Sequence, residues 1–197
     1  MKRVFDFLGS LIGLILLSPV FLLLIIAIRL NSKGGAFFKQ IRVGQYGKDF
    51  RLIKFRSMYQ GSVKKGSLTV GEKDPRITSV GYLIRKYKLD ELPQLFNVLL
   101  GDMSLVGPRP ELRKFVNMYS EEQKRVLKVK PGITDYASIK FRNENELLYL
   151  ANNPEDFYIK VIMPQKITLN MIFINKPSIF TYFSIIIQTI IISISGK

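Results

Sequence analysis

A long apolar run near the N-terminus is the strongest hydropathy signal in the chain. The stretch Phe7–Ile28 contains no charged residue, and it is long enough to cross a bilayer at roughly 20 residues per helical span. Ser18-Pro19 interrupts the run near its middle, where proline removes a helix hydrogen bond and pushes the preceding residue away from helical geometry. Basic residues flank the run, at Lys2-Arg3 and from Arg29 onwards. The pattern predicts a helix that is broken at Ser18-Pro19.

Two membrane topologies are compatible with this run. A straight or kinked span would send one basic flank to the outer side of the membrane, against the tendency of basic residues to stay in the cytoplasm. A re-entrant hairpin keeps both flanks on the cytoplasmic face, and Ser18 can bond the carbonyls that the break leaves free. We therefore predict a re-entrant membrane hairpin over residues 1–33, with the kinked span as the alternative.

Shorter periodic segments over residues 34–176 predict a mixed α/β domain, mostly helical with a small β-sheet. Ala36–Gln40 and Phe50–Phe55 flank a glycine turn and predict a two-stranded hairpin. On the second strand Lys54 and Arg56 would share one face, which is either a binding face or a solvated one. Residues 60–73 are rich in glycine, serine and lysine and predict a flexible loop.

Helix signals dominate the rest of this domain. Thr78–Lys86 has helical periodicity with Thr78 or Ser79 as its cap, and Asp90 is predicted to cap a second helix that ends at Gly101. Lys130–Thr134 is expected to be a turn, because Pro-Gly interrupts helices. Further short helices are predicted at residues 111–119, from Ser120 onwards, at 143–149 and at 154–163.

A second uncharged run, Pro177–Gly196, lies at the C-terminus and is rich in isoleucine. Thr181, Ser184, Gln188 and Ser195 fall on one side of a helical wheel, which favours a helix lying in the membrane interface. A membrane span is the alternative, since the length permits it. The expected organisation is a hairpin over 1–33, a cytoplasmic domain over 34–176 and an interfacial amphipathic helix over 177–197.

Composition narrows the chemistry that the chain can perform. Its formal net charge is +15, with the excess mainly in the middle of the sequence, and such a field attracts anionic lipids, phosphorylated substrates or nucleic acids. The absence of cysteine and histidine excludes disulfides, thiolate and imidazole catalysis and His–Cys zinc sites. Any catalysis must use carboxylates, lysine, arginine, tyrosine, hydroxyls or a metal held by carboxylates.

The adjacent carboxylates Asp90-Glu91 are the clearest candidate for chemistry. Arg85 and Lys88 precede them and Arg109 follows. A carboxylate at a helix N-terminus among cations is expected to be ionised and to lie near a phosphate-binding site. The alternative is that Asp90 merely caps a helix while its neighbours are solvated, and the pattern alone leaves both interpretations open.

Several motifs occur together and are highly specific as a set. They are Lys2–Asp6 with Leu17–Pro19, Phe38–Gly44, Lys54–Met58, Asp74–Thr78, Leu89–Pro110 and Lys130–Thr134. In these stretches the chain resembles the bacterial sugar transferases, the small monotopic phosphoglycosyltransferases that prime glycan assembly on a polyprenyl phosphate. The resemblance covers residues 3–60 and 74–134, is looser towards the C-terminus, and is to the family's minimal catalytic unit.

The resemblance implies a membrane transferase of polysaccharide, lipopolysaccharide or capsule synthesis, with its catalytic domain on the cytoplasmic face of the bacterial inner (plasma) membrane. Such enzymes move a phosphosugar from a nucleoside diphosphate sugar, usually a UDP-sugar, to polyprenyl (undecaprenyl) phosphate and release UMP. They require Mg²⁺, for which Mn²⁺ can substitute, and they follow a ping-pong mechanism through a covalent aspartyl intermediate. A homodimer is compatible with the resemblance.

The same resemblance implies roles for particular residues. The nucleophile falls on Asp90 and its partner carboxylate on Glu91, with both near the metal. Phosphate and nucleotide contacts fall on Lys54, Arg85, Arg109 and Arg142, and the broken membrane helix falls on residues 4–30.

Two stretches depart from the family pattern, Asp135–Ser138 and Ile167–Asn170, and they leave the identity of the sugar open. A non-catalytic basic module that binds anionic lipid at the membrane surface is the alternative function. A nucleic-acid partner is not expected, because an RNA-binding aromatic signature is lacking and a membrane segment is present. Neither alternative accounts for Asp90-Glu91 among converging arginines.

Overall fold

The computed structural model describes residues 2–62 and 74–195, so most of the loop predicted over 60–73 lies outside the described residues. The helices are α1 (Lys2–Leu16), α2 (Ser18–Asn31), α3 (Ser79–Lys86), α4 (Gln94–Leu100), α5 (Arg113–Val116), α6 (Tyr136–Lys140), α7 (Glu144–Leu150), α8 (Pro154–Phe157), α9 (Met163–Asn175) and α10 (Ile179–Ser195). The strands are β1 (Phe37–Val43), β2 (Asp49–Phe55), β3 (Ser104–Val106) and β4 (Gly132–Thr134). The predicted mixed fold, mostly helical with little sheet, is confirmed.

The apolar N-terminal run forms two helices that bend by 61° between Leu16 and Ser18. The break lies where the sequence predicts it, and the Ser18 hydroxyl donates a 2.8 Å hydrogen bond to the carbonyl of Ile15. Within the described residues no single helix has both the length and the apolar composition to cross a bilayer, whereas α1 and α2 together do. Leu16, Leu22, Leu23 and many other apolar side chains of this pair are exposed on the isolated chain.

Helix α2 is held against the rest of the fold by aromatic packing. The ring of Phe21 lies edge-on to those of Phe55 and Phe96, with centroid distances of 5.1 and 5.9 Å. Phe55 and Ile84 are each 1% exposed in the same cluster. The end of β2 is therefore tied directly to the broken helix pair.

The strands form two small sheets. β1 and β2 pair antiparallel, from Phe37 opposite Phe55 to Val43 opposite Asp49, as the sequence predicts. β3 and β4 pair in parallel, so the prediction of a turn over Lys130–Thr134 is wrong for its second half. Pairing of this kind depends on a distant strand and leaves no local signal, although Gly132 and Gly107 approach so closely that a Cβ on Gly132 would collide with backbone.

The C-terminal helix α10 packs on α1 rather than standing apart. The Asp6 carboxylate of α1 is 3% exposed and accepts hydrogen bonds from the Tyr182 and Ser104 hydroxyls, at 2.8 and 2.9 Å, and from the Leu105 backbone amide, at 2.8 Å. One buried carboxylate thus joins α1, α10 and β3. Phe180, Ile187 and Ile191 remain exposed along α10.

Helix bounds follow the sequence signals in some places and not in others. Thr78 caps α3, since its hydroxyl accepts a 2.9 Å hydrogen bond from the Gly81 amide, and Gly101 ends α4 in the left-handed conformation. The helix predicted over residues 111–119 is shorter, because only Arg113–Val116 is α-helical. The sequence does not predict helix α9 beyond Met163, since its apolar positions do not form a single stripe.

We predict that the hairpin keeps the start of α1 and the end of α2 on the same side of the membrane. The chain contains no cysteine, so single Lys2→Cys and Lys33→Cys variants can be labelled with a membrane-impermeant maleimide without background. Both should react in inverted vesicles and neither in intact spheroplasts. A Tyr46→Cys variant, exposed in the β1–β2 turn, serves as the reference for the domain over residues 34–176. Labelling of position 2 or 33 from outside would refute the hairpin.

Candidate active site

Asp90 and Glu91 lie in a short 3₁₀ turn, Leu89–Glu91, between α3 and α4. Lys88 precedes the turn in the left-handed conformation, with φ of 57°. The expectation that Asp90 caps the following helix is wrong. Helix α4 starts at Gln94 with Pro93 at its cap position, so the Asp90 carboxylate lies too far upstream to accept from the first amides of α4.

The Glu91 carboxylate is saturated by two cations from distant parts of the chain. Lys54 Nζ of β2 lies 3.0 Å from Glu91 Oε1, and Arg109 Nη1 lies 3.0 Å from Oε2. A second guanidinium nitrogen of Arg109 also donates to Oε1, which completes a two-pronged ion pair. The exposed fractions of these side chains are 16% for Lys54, 31% for Arg109 and 13% for Glu91. Glu91 therefore fixes both cations in place.

The loop that carries Arg109 is itself anchored at its backbone. The Arg109 amide donates a 3.0 Å hydrogen bond to Asp135 Oδ2, and the other oxygen of Asp135 caps α6 by accepting from the Ser138 amide. Arg42 of β1 donates to the Pro110 carbonyl at 3.2 Å and lies 3.9 Å from Glu111. The Gly107–Glu111 segment is thus held from both sides.

Asp90 is oriented differently from its neighbour. Its side chain is 7% exposed and lines a cavity of about 520 Å³, whereas Glu91 does not line this cavity. Within the described residues no side chain donates a hydrogen bond to the Asp90 carboxylate. Seven cationic residues line the same cavity within the described part of the chain: Arg42, Lys54, Arg56, Arg76, Arg85, Arg109 and Lys166. Asp90 is therefore the carboxylate that can meet a ligand.

Burial sets the protonation of Asp90. Desolvation raises the pKa of the Asp90 carboxyl above its usual value, and Glu91 raises it further, while Lys54, Arg85 and Arg109 only partly offset these effects. The cations favour the ionised form of Asp90, as expected, but burial outweighs them. Helix-terminal stabilisation is missing because Asp90 caps no helix.

Glu91 shows the opposite behaviour. Burial alone would raise its pKa, but Arg109 and Lys54 outweigh that effect and hold the pKa of Glu91 well below its usual range. Glu91 in turn raises the pKa of Arg109, and burial lowers the pKa of Lys54. The two neighbouring carboxylates thus titrate in different ranges, a pattern that is common at catalytic sites.

The remaining predicted site residues are placed as follows. Arg85, in the last turn of α3, lines the cavity with Asp90, and its guanidinium makes no ion pair within residues 2–62 and 74–195. Arg56 also lines the cavity, although it follows β2 and donates to the carbonyls of Ser32 and Lys33 at the end of α2. Arg142 is not among the cavity-lining residues and donates to the Ile192 carbonyl of α10. The structure brings Lys54, Arg85 and Arg109 to the carboxylate pair but not Arg142.

Sequence reasoning missed a second set of polar residues along the cavity. Glu111, Glu144, Tyr158 and Lys166 line it together with Asn145. Among these residues Glu111 carries a sequence signal, because it directly follows the Gly-Pro-Arg-Pro motif. The other members come from helices whose contacts no local pattern predicts.

A metal would have few ligands from the chain itself. Within the described residues no group of three or more acidic side chains could hold a metal ion. Mg²⁺ nevertheless fits beside Asp90, because Mg²⁺ commonly takes one or two carboxylates and completes its shell with water and substrate phosphates. Glu91 could join only by releasing Lys54 or Arg109.

Comparison with known proteins identifies close relatives. The family model for bacterial sugar transferase matches residues 1–196. The "Uncharacterized sugar transferase EpsL" of Bacillus subtilis (strain 168) is 48% identical over 143 residues, which are 73% of this chain and 70% of that protein.

Two further relatives are longer proteins whose names state an activity. One is the UDP-N-acetylgalactosamine-undecaprenyl-phosphate N-acetylgalactosaminephosphotransferase of Aeromonas hydrophila, 46% identical over 70% of this chain and 33% of its own length. The other is the UDP-glucose:undecaprenyl-phosphate glucose-1-phosphate transferase of Escherichia coli (strain K12), 38% identical over 82% of this chain and 36% of its own length. The chain thus spans about a third of each of these two relatives.

We predict opposite effects on stability when the two carboxylates are replaced. In Glu91→Gln, Lys54 and Arg109 remain buried without their anion, which should destabilise the fold by about 3 kcal/mol at neutral pH. The folded pKa of Glu91 is depressed, so its stabilisation is present above the ordinary pKa of glutamate and is lost as the pH falls. The difference between Glu91→Gln and the native chain should therefore shrink on acidification.

Asp90→Asn should instead raise the melting temperature at neutral pH. The folded pKa of Asp90 is raised, so the native chain loses stability as the pH rises from the ordinary aspartate pKa through the folded one. The gain from Asn should vanish below the ordinary aspartate range. Melting curves of both variants from acid to neutral pH measure these effects. Destabilisation by Asp90→Asn at neutral pH would contradict the placement of the two carboxylates.

Proposed function

We propose that this chain, which belongs to the bacterial sugar transferase family, moves a sugar phosphate from a UDP-sugar to polyprenyl phosphate and releases UMP. The Aeromonas and Escherichia relatives are both named as transferases to undecaprenyl phosphate, which supports this proposal. The observation that carries the mechanism is the unequal state of the two carboxylates. Asp90 faces the cavity without a partner among the described side chains, whereas Glu91 is held by Arg109 and Lys54.

In the first step Asp90 attacks the phosphorus that bears the sugar. A bond forms between one carboxylate oxygen and this phosphorus, and the bond from phosphorus to the oxygen bridging the two phosphates breaks. The electron pair of that bond leaves with UMP, so the phosphosugar is now attached to Asp90. A protonated carboxyl is a poor nucleophile, so Asp90 must be ionised when the donor is in place.

In the second step the terminal phosphate oxygen of polyprenyl phosphate attacks the same phosphorus. The bond to Asp90 breaks and its electron pair restores the carboxylate. Each half-reaction uses the same carboxylate and the same cations, which is the basis of ping-pong kinetics. Since the acceptor attacks the phosphorus that is bonded to Asp90, UMP must leave before the acceptor reacts.

The cations make these steps possible because a carboxylate and a diphosphate repel each other. Phosphoryl transfer depends chiefly on positioning and charge neutralisation. Arg85 has no carboxylate partner in the described residues and lines the cavity, so it is free to bind phosphate oxygens. Arg109 and Lys54 are fixed by Glu91, and they offer preorganised positive charge where negative charge develops. Glu91 is thus a positioning residue.

Mg²⁺ would be held by Asp90 together with phosphate oxygens of the donor. When bound, it withdraws negative charge from the transferred phosphoryl group. It would also lower the pKa of Asp90 by its own positive charge, which counteracts the effect of burial. Arg85 and Arg109 orient the diphosphate independently of the metal.

The acceptor explains why the site should lie at a membrane. Polyprenyl phosphate is a long lipid, and a site at the bilayer surface avoids extracting it. The bent α1–α2 pair carries exposed apolar side chains, and its Phe21 packs against the β2 residue that follows Lys54. We therefore place the site at the cytoplasmic face of the plasma membrane.

The covalent step predicts a phosphosugar adduct on Asp90. Native protein mixed with a UDP-sugar and Mg²⁺, without acceptor, should gain the mass of one phosphosugar and release a burst of UMP. Asp90→Asn should fold, bind nucleotide and show neither adduct nor burst, because an amide oxygen is a poor nucleophile. Intact-protein mass spectrometry over a panel of UDP-sugars also identifies the sugar.

Asp49→Asn is the matched control, since Asp49 is half exposed and its ion pair with Arg113 lies at the surface. This variant should form the adduct at the native rate. An adduct that maps to another residue, or normal turnover by Asp90→Asn, would show that Asp90 is not the nucleophile. Absence of any UMP release with every UDP-sugar would favour the alternative, a non-catalytic module that binds anionic lipid.

Metal removal gives a separate prediction. Turnover should stop in excess chelator and return on addition of Mg²⁺ or Mn²⁺. The reason is that the metal would offset the repulsion between the Asp90 carboxylate and the diphosphate. A linear progress curve of UMP release in excess EDTA, at the rate seen with Mg²⁺, would rule out a metal requirement.

A further inference from the structure

The cavity has a second polar wall that the proposed transfer steps do not use. It is formed by Glu111, Glu144, Tyr158 and Lys166, which we call the Glu144–Lys166 cluster. Lys166 Nζ lies 2.7 Å from Glu144 Oε2 and 3.8 Å from Glu111 Oε1. The Tyr158 hydroxyl donates to Glu111, and Lys166 Nζ lies 5.2 Å from the centroid of the Tyr158 ring. The side chains form one connected network.

A local irregularity of the backbone assembles this cluster. Tyr158 and Lys166 are separated by eight positions, which in a regular α-helix leaves them offset by about 80°. Between them the chain is π-helical over Tyr158–Ile162. A π turn winds less per residue, so it brings both side chains to the cavity side. Such segments occur frequently at functional sites.

The cluster is costly as a purely structural feature. Lys166 and Glu111 have exposed side-chain fractions of only 9% and 12%, and a buried ionic network is often less stabilising than well-packed apolar residues of similar size. Glu144 is more accessible, at 26%, and only its Oε2 atom accepts a hydrogen bond within the described residues. Its Oε1 atom is thus available to accept from a ligand. The neighbouring Asn145 also lines the cavity.

The two ends of the cavity differ in charge. Around Asp90 the cations Lys54, Arg85 and Arg109 exceed the carboxylates, which suits a diphosphate. In the Glu144–Lys166 cluster the two carboxylates are balanced by Lys166 and by Arg42, which lies 3.9 Å from Glu111. Carboxylates repel phosphate, so this end suits an uncharged group rich in hydroxyls.

Arg42 lies between the two ends. It lies 3.9 Å from Glu111 and donates to the carbonyl of Pro110, the residue that follows Arg109. A ligand that reaches from Asp90 to Glu144 must therefore pass Arg109 and Arg42.

The direction of attack decides which part of the donor reaches the cluster. The attacking and leaving oxygens are roughly in line at phosphorus, so UMP points away from Asp90. Its phosphate would then pass Arg109 and Arg42, and its nucleoside would arrive at the far end. We infer that the Glu144–Lys166 cluster binds the nucleoside of the donor, with Glu144 accepting hydrogen bonds from the ribose hydroxyls.

This inference rests on the proposed function and deepens it. A carboxylate that accepts from ribose hydroxyls is a recurring arrangement in nucleotide sites. Leu112 lines the cavity beside the cluster and is partly exposed, so it offers an apolar contact for a base. The sugar, which projects sideways from the attacked phosphorus, would not contact the cluster.

The test measures binding of UMP, which carries no sugar, by isothermal titration calorimetry. Glu144→Gln should weaken UMP binding roughly tenfold, as expected for a lost hydrogen bond to a charged group. Native protein should bind 2′,3′-dideoxy-UMP roughly tenfold more weakly than UMP, and Glu144→Gln should bind the two within about threefold of each other. Lys166→Met should also weaken UMP binding, because Glu144 loses its fixed orientation.

Two exposed residues supply matched controls. One control is Glu146→Gln, because Glu146 is an exposed residue of α7 two positions from Glu144. The other is Lys160→Met, because Lys160 pairs with Asp156 at the surface. Both should bind UMP like the native protein. Melting curves identify any variant that is unfolded, and Glu144→Gln, which keeps the side-chain shape, is the variant least prone to this.

Turnover separates this inference from the proposed function. Loss of UMP affinity in Glu144→Gln, with the ranking of UDP-sugars by kcat/KM unchanged, supports a nucleoside site. Unchanged UMP affinity in both cluster variants overturns the inference, and an altered ranking of sugars in that case assigns the cluster to the sugar. Failure of the native protein to release UMP from any UDP-sugar overturns the proposed function, whereas the UMP titrations still decide the role of the cluster.

Discussion

The pairing of Glu91 with Arg109 and Lys54 is the interaction on which the site depends. It joins β2, the 3₁₀ turn and the loop after β3, three segments that are far apart in sequence. Because all three groups are largely buried, removing one leaves the others charged and desolvated, at a cost of several kcal/mol. The pairing also occupies Glu91, so that its neighbour Asp90 is the carboxylate left facing the cavity. One interaction thus sets both the positions of the cations and the identity of the free carboxylate.

The unpaired, buried carboxylate of Asp90 lowers the stability of the fold but leaves a group available for reaction. A buried carboxyl without a partner is unfavourable when ionised, as the raised pKa of Asp90 reflects. A fully paired Asp90 would stabilise the fold more, but its carboxylate oxygens would be occupied by protein groups and not available to a ligand. Strained or unpaired polar groups of this kind are typical of sites where function limits stability. The neighbouring Glu91, which is strongly stabilised, shows that the fold could have satisfied a carboxylate at this place.

The charge distribution along the cavity is uneven, as the proposed nucleotide-sugar donor requires. Cations concentrate around Asp90, whereas the Glu144–Lys166 cluster is balanced and more suited to hydroxyls. The bent α1–α2 pair packs on the end of β2 through Phe21 and Phe55, so the basic end of the cavity is tied to the apolar part of the chain. A lipid phosphate and a soluble nucleotide could then reach the same carboxylate from different directions.

The sequence by itself determined the features that depend on neighbours along the chain. The break at Ser18-Pro19, the β1–β2 hairpin, the Thr78 cap and the candidate pair Asp90-Glu91 follow from proline geometry, alternation, capping chemistry and motif. Only the tertiary structure decided which carboxylate is free and that Asp90 caps no helix. It also decided that the Arg142 side chain bonds to α10 and that Glu144 and Lys166 join the cavity. The reason is physical: adjacent residues in a turn point in different directions. Ion pairs and the β3–β4 ladder are made between segments whose separation along the chain carries no local signal.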